Sequence, residues 1–234
     1  MALLAGLALT AGCTSDDSTV AAPETTLTGP AATIAAAAAL LPAISPDQTL
    51  PPQDLSSIRK VYDEALATMG LTLTRGALID LDGGRYEPSP DGRHLALYVE
   101  PVEGRTEEEY AEAAWTLSAL ITPDVFARWS GLDSYDICQE PLPEVDPSPE
   151  PNPVTQLNLT RAAADTIDWT SGGLTDLLVA ARESPDLRMY VNRDIRETPT
   201  YRAANEEARA IVGAGPVLTA PPTASGFSTT TTAP

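Results

Sequence analysis

Apolar positions along this 234-residue chain fall into three regimes. An unbroken apolar run covers Ala2 to Leu9, a stretch of Ala, Thr, Pro, Ser and Asp follows as far as Gln53, and from Asp54 to Val212 apolar residues recur with regular periods. Leu55, Ile58, Tyr62, Ala65, Leu66 and Met69 share one helical face. Asp54 can cap the N-terminus and Gly70 suits the left-handed residue that ends a helix, so the spacing predicts a helix over 55–69. Leu71, Leu73, Ala77, Ile79 and Leu81 alternate, as do Leu95, Leu97 and Val99 beyond the turn-rich 82–92. That pattern predicts two strands paired antiparallel.

Thr106 and Glu109 have the spacing of a capping box and open a helix with the stripe Tyr110, Ala114, Leu117 and Ile121. Thr122-Pro123 predicts the start of a second, short helix through Arg128, presenting Phe126 and Trp129, with Gly131 as its stop. Ser134–Gln139 reads as a strand with Tyr135 and Ile137 on one face and Asp136 and Cys138 on the other. Prolines at 141, 143, 147, 149, 151 and 153 exclude helix and central strand and leave a stiff loop. Thr155, Leu157 and Leu159 alternate as a strand, Thr160 caps a helical stretch towards Trp169, Leu174–Arg182 is helical, and Leu187–Val191 is a strand. Thr198-Pro199 opens a last helix with Tyr201, Ala204, Ala208 and Ile211 facing inward. This order predicts a single α+β domain over 54–212, with helices packed on a mixed, largely antiparallel sheet. No internal repeat is present.

The flanks read differently. Residues 13–53 hold no aromatic residue and few large aliphatics, which predicts a disordered Ala/Thr/Pro stalk in which any short helix over Ala35–Leu41 ends at Pro42; the Thr/Pro-rich 213–234 predicts a disordered tail. The first apolar run is too short for a hydrocarbon core that takes roughly 20 residues to cross as a helix, but it has the length of a secretory h-region. Thr10-Ala11-Gly12-Cys13 follows it, with small residues immediately before a cysteine. In this the chain resembles a bacterial lipoprotein signal peptide with its lipobox. The resemblance implies that residues 1–12 are removed, that Cys13 carries a diacylglyceryl group, and that the protein is held by lipid on the outer face of the cytoplasmic membrane. The Ala, Thr and Pro bias of the flanks resembles exported actinobacterial lipoproteins.

Charge and candidate chemistry narrow the picture further. The 33 acidic and 14 basic residues give a net charge of -19, which repels phosphate backbones and argues against nucleic acid as a partner. With Cys13 lipidated, Cys138 has no disulfide partner in the chain. His94 is the single histidine, so a multi-imidazole metal site is excluded and any Ser-His-Asp arrangement must use it. Alternation places His94 with Ala96, Tyr98 and Glu100 as a partly solvated strand-end residue, and no Gly-x-Ser-x-Gly elbow occurs. Asp80-Leu81-Asp82-Gly83-Gly84 lacks the third ligand of a calcium loop and reads as a turn. No metal or cofactor is expected. Asp133, Asp136, Glu140, Glu144, Asp146 and Glu150 lie in a stretch without Lys or Arg, and form the expected acidic surface for a basic partner. The reading that follows is a membrane-anchored surface lipoprotein presenting a non-enzymatic binding domain to an envelope protein or glycan. The alternatives are a secreted cell-envelope hydrolase using carboxylates or His94, and a phage- or plasmid-borne surface exclusion lipoprotein.

Overall fold

In the computed structural model, residues 28–81, 88–102, 104–142, 145–146 and 152–213 are described. Strands β1 (Leu71–Ile79), β2 (His94–Pro101), β3 (Ser134–Gln139), β4 (Thr155–Thr160) and β5 (Leu187–Val191) lie side by side in chain order in one sheet. All neighbours are antiparallel except β2 and β3. A parallel pair needs a long crossover, and here it consists of α3 (Glu107–Glu112) and α4 (Ala114–Arg128). The chain is thus the single α+β domain with a mixed, mainly antiparallel sheet that the pattern predicts.

Local chemistry sets the elements. Helix α2 (Leu55–Thr68) starts where the Asp54 carboxylate accepts the Ser57 N–H at 2.9 Å, and Gly70 follows its end with φ of 67°. Thr106 and Glu109 bond reciprocally at the start of α3. The apolar face of the sheet carries Leu73, Leu97, Val99, Tyr135, Ile137 and Leu159, all at 3% exposure or less. Above it, Phe126 of α4 stands edge-on to Tyr135 with ring centres 5.6 Å apart. The Arg161 guanidinium donates to the carbonyls of Phe126, Trp129 and Leu132, tying the end of α4 to the start of α5 (Arg161–Ala164). On the far edge α6 (Leu174–Glu183) rests on β5, and α8 (Pro199–Val212) covers α6, with the short α7 (Arg193–Arg196) between β5 and α8.

Four expectations are corrected. The register of β1 shifts between Leu73 and Arg75, so Thr74 is an extra residue. A bulge exchanges the two faces beyond it; Gly76 and Leu78 therefore follow Leu71 and Leu73 under the helices, while Ala77 and Ile79 turn to the other side. The crossover breaks at Ala113, not at Thr122, and Pro123 sits inside α4. The buried run from Trp115 to Ile121 holds that helix against the core across the missing N–H, and the Thr122 hydroxyl, bonded to that of Tyr135, caps nothing. Ile211 is 62% exposed, in the last turn of α8 beyond the buried Ala208.

The fourth correction concerns the stalk. Residues 28–53 belong to the domain: α1 (Pro30–Ala38) lies against α2 and α4, and Ala37 is fully buried. Alanine brings a helix close to its neighbours without large side chains. The chain after α1 is held by donors from α4 and the turn beyond it. Arg128 bonds the carbonyls of Pro42 at 2.7 Å and Ala43 at 3.3 Å, and the Gly131 N–H bonds that of Thr49 at 2.7 Å. Residues 13–27 of the expected stalk, and the expected tail beyond Gly213, lie outside the described residues.

Arg128 is also paired with Asp124 at 2.9 Å, and both side chains are at least nine-tenths buried. Arg128→Ala should therefore cost about 3 kcal/mol, because it leaves a buried carboxylate short of its cation. Urea unfolding measures that loss. Limited proteolysis should show new cutting between residues 40 and 50 as the arm is released.

Candidate functional site

Strand alternation gives the sheet a second face of a different kind. The side chains there are His94 of β2, Ser134, Asp136 and Cys138 of β3, and Gln156 and Asn158 of β4, and every one is at least 94% buried. Ala96, Ile79, Cys138 and Tyr190, the buried less polar residues of this face, stand outside the apolar cluster that the helices cover. A polar face held away from water must satisfy its donors and acceptors internally.

Parallel register sets the central group. His94 is opposite Ser134, and Ala96 is opposite Asp136. Ala96 is small, which leaves room for the imidazole to lie between the two β3 side chains. His94 Nδ1 is 2.9 Å from Ser134 Oγ, and Nε2 is 2.7 Å from Asp136 Oδ1. Gln156 donates its Nε2 to Asp136 Oδ2 at 3.0 Å. Both carboxylate oxygens are therefore occupied. An ionised carboxylate only accepts, so in this geometry a neutral ring carries its proton on Nε2 and presents the Nδ1 lone pair to the Ser134 hydroxyl.

Asn158 differs from its neighbours. It is 2% exposed, lies between Asp136 and Arg188 in the register, and its Oδ1 has no hydrogen-bond partner. Leaving such an acceptor unmet costs about 1–3 kcal/mol.

A second group closes the face towards β1. Glu140 accepts from the Arg75 guanidinium and from the hydroxyl of Thr74, the bulge residue, while Arg75 also lies 4.1 Å above the Tyr98 ring. Burial, and then the Glu140 charge, push the Glu100 carboxyl above its usual range. Burial also raises the Cys138 thiol well above its ordinary value, helped by the Asp136 and Glu140 charges, so it is inert as a nucleophile.

The expected acidic surface does not form as a unit. Asp133 is exposed and pairs loosely with Arg93 at 3.6 Å, and Asp146 is half-buried and accepts from the Asn152 N–H. Asp136 and Glu140 are buried at 0% and 7% exposure, because strand alternation turns them into the second face. Glu144, Glu150 and Cys13 lie outside the described residues. His94 is a sealed residue at 1% exposure, not a partly solvated one. Ser134, Gln156, Asn158 and Arg75 were not singled out by sequence. The available signal was the repeated polar alternation Ser134/Asp136 and Gln156/Asn158, interleaved with Tyr135, Ile137, Leu157 and Leu159.

Among the described residues no group of three His, Cys, Asp or Glu side chains converges as a metal site. An open groove of about 620 Å³ runs along α6, lined by Asp168, Asp176 and Glu183. Hydrogen bonds from Ser171 and Thr170 hold the Asp168 carboxyl far below its usual range. Compared with protein-family models, with curated proteins and with solved structures, the chain has no match.

Removing the unmet acceptor tests whether Asn158 is kept for a reason other than stability. Asn158→Leu should raise the unfolding free energy by about 1 kcal/mol, read from the urea midpoint at unchanged slope.

Proposed function

We propose that this chain is an exported lipoprotein, anchored by acyl chains on Cys13, whose domain is a binding module for an envelope protein or glycan. The anchor rests on the order of the apolar run, the small residues and Cys13. The observation that carries the binding role is the unmet Oδ1 of Asn158 in an otherwise bonded polar face. Such a group suits a ligand that offers an N–H or O–H, which glycans and peptide backbones both do.

The ordered arm changes the geometry of display. With residues 28–53 fixed to the domain, the chain from Cys13 to Pro30 spans about 60 Å at full extension, where a 40-residue stalk would reach about 130 Å. The domain is then held close to the membrane. Its net charge of -19 keeps it off anionic headgroups, and each buried methylene of the anchor contributes about 0.8 kcal/mol to attachment. No described helix is long and apolar enough to cross a membrane.

Two readouts test the proposal. Intact mass of the membrane-fraction protein should begin at Cys13 and include a diacylglyceryl group, and Cys13→Ala should abolish both the added mass and membrane retention; an unmodified chain in the soluble fraction rejects the anchor. Immobilised protein should capture a glycan or protein from solubilised envelopes, and Asn158→Leu should lose the capture while remaining folded. Equal capture by the two proteins rejects the binding face.

A further inference from the structure

We propose that Ser134 is a nucleophile activated by His94 and Asp136, and that the domain hydrolyses small carboxylic esters at the end of β2 and β3. This goes beyond the binding reading and stands or falls without it. Hydroxyl, imidazole and carboxylate form an unbroken chain, 2.9 Å from Ser134 Oγ to Nδ1 and 2.7 Å from Nε2 to Asp136. That is the order of groups that makes a serine reactive, and it is recognised by geometry and roles, whatever the sequence positions. Here the carboxylate meets Nε2 and the hydroxyl meets Nδ1. Either ring nitrogen can serve as the base once the other carries the proton.

Structural need alone does not explain the arrangement. Three apolar side chains of similar volume would seal the same face without burying a carboxylate, a substitution that is often neutral or stabilising. Gln156 adds what a base-orienting carboxylate requires, a fixed partner on its second oxygen.

Access follows from position. Exposure rises along the chain of groups, from 0% at Asp136 to 1% at His94 and 6% at Ser134. Ser134 is the first residue of β3 and His94 the first of β2, and their chain neighbours Asp133 and Arg93 have side chains 68% and 64% exposed. Of the three groups the hydroxyl residue keeps the largest open fraction, with the sealed carboxylate behind it. Arg93, held to Asp133 only at 3.6 Å, is an exposed cation at that edge of the sheet.

The chemistry balances as acyl transfer to water. Ser134 Oγ bonds the ester carbonyl carbon, its proton passes to His94 Nδ1, and Asp136 stabilises the imidazolium. The ester C–O bond then breaks and the alkoxide leaves with that proton as an alcohol. Water repeats the attack on the acyl-serine, with His94 again taking and returning the proton, and releases the carboxylic acid.

The test uses the full chain with an alkyl fluorophosphonate, in which the Oγ–P bond forms, fluoride leaves and His94 takes the proton. One adduct should map to Ser134, be absent in Ser134→Ala, and form at least about 100-fold more slowly in His94→Gln. Hydrolysis of 4-nitrophenyl acetate should fall in parallel. Ser134→Cys guards against misfolding as a trivial cause: the new thiol should be alkylated by iodoacetamide at pH 6 while Cys138 stays unmodified, and adding His94→Gln should slow that alkylation at least tenfold. A folded chain that takes no phosphonate, an adduct that persists in Ser134→Ala, or alkylation indifferent to His94 overturns the proposal.

Discussion

The parallel register of β2 and β3 is the constraint on which the rest of this molecule depends. Adjacent strands pointing the same way cannot be joined by a hairpin, so the chain must leave the sheet and return. It does so through α3 and α4, whose Tyr110, Thr122 and Phe126 meet Val99 and Tyr135 on the covered face. Arg128 and the turn after α4 then hold the N-terminal arm, and Arg161 reaches back to the same turn from the far side of β4. On the opposite face the same register sets His94 beside Ser134 and within reach of Asp136.

Two faces built on one set of strands are stabilised in different ways. The helix-covered face depends on apolar area and close packing, which tolerate exchange among side chains of like volume. The second face depends on donors meeting acceptors, and there each member fixes the next: Gln156 orients Asp136, Asp136 fixes the ring proton of His94, and the ring faces Ser134. Such a network gains specificity at the expense of tolerance. Asn158 Oδ1 is the acceptor that this network leaves unmet.

The sequence made most of the architecture legible because alternation and caps are local signals. The strands Ser134–Gln139 and Leu187–Val191 and the capping box at Thr106 are readable from a few residues each, and they occur where the pattern puts them. What escaped depended on distant partners. The bulge at Thr74 exists because Glu140 and the Tyr98 carbonyl take its hydroxyl. The arm is ordered because Arg128 and Gly131 donate to it, although its composition alone predicts disorder. Asp136 and Glu140 looked like members of an acidic surface because a sequence gives spacing but not which face of a strand is covered. Nothing within a few residues of His94 showed that its partners come from a strand forty positions on.

The most direct test of this account is long-range ¹H–¹⁵N NMR of the His94 ring in the folded chain. One tautomer, protonated at Nε2, is expected, with that proton protected from solvent and Nδ1 in hydrogen-bonded contact with a hydroxyl. A ring protonated at Nδ1, averaging between tautomers, or exchanging freely with water would contradict it, because Asp136 would then not hold the proton and the polar face would lack its organising bond.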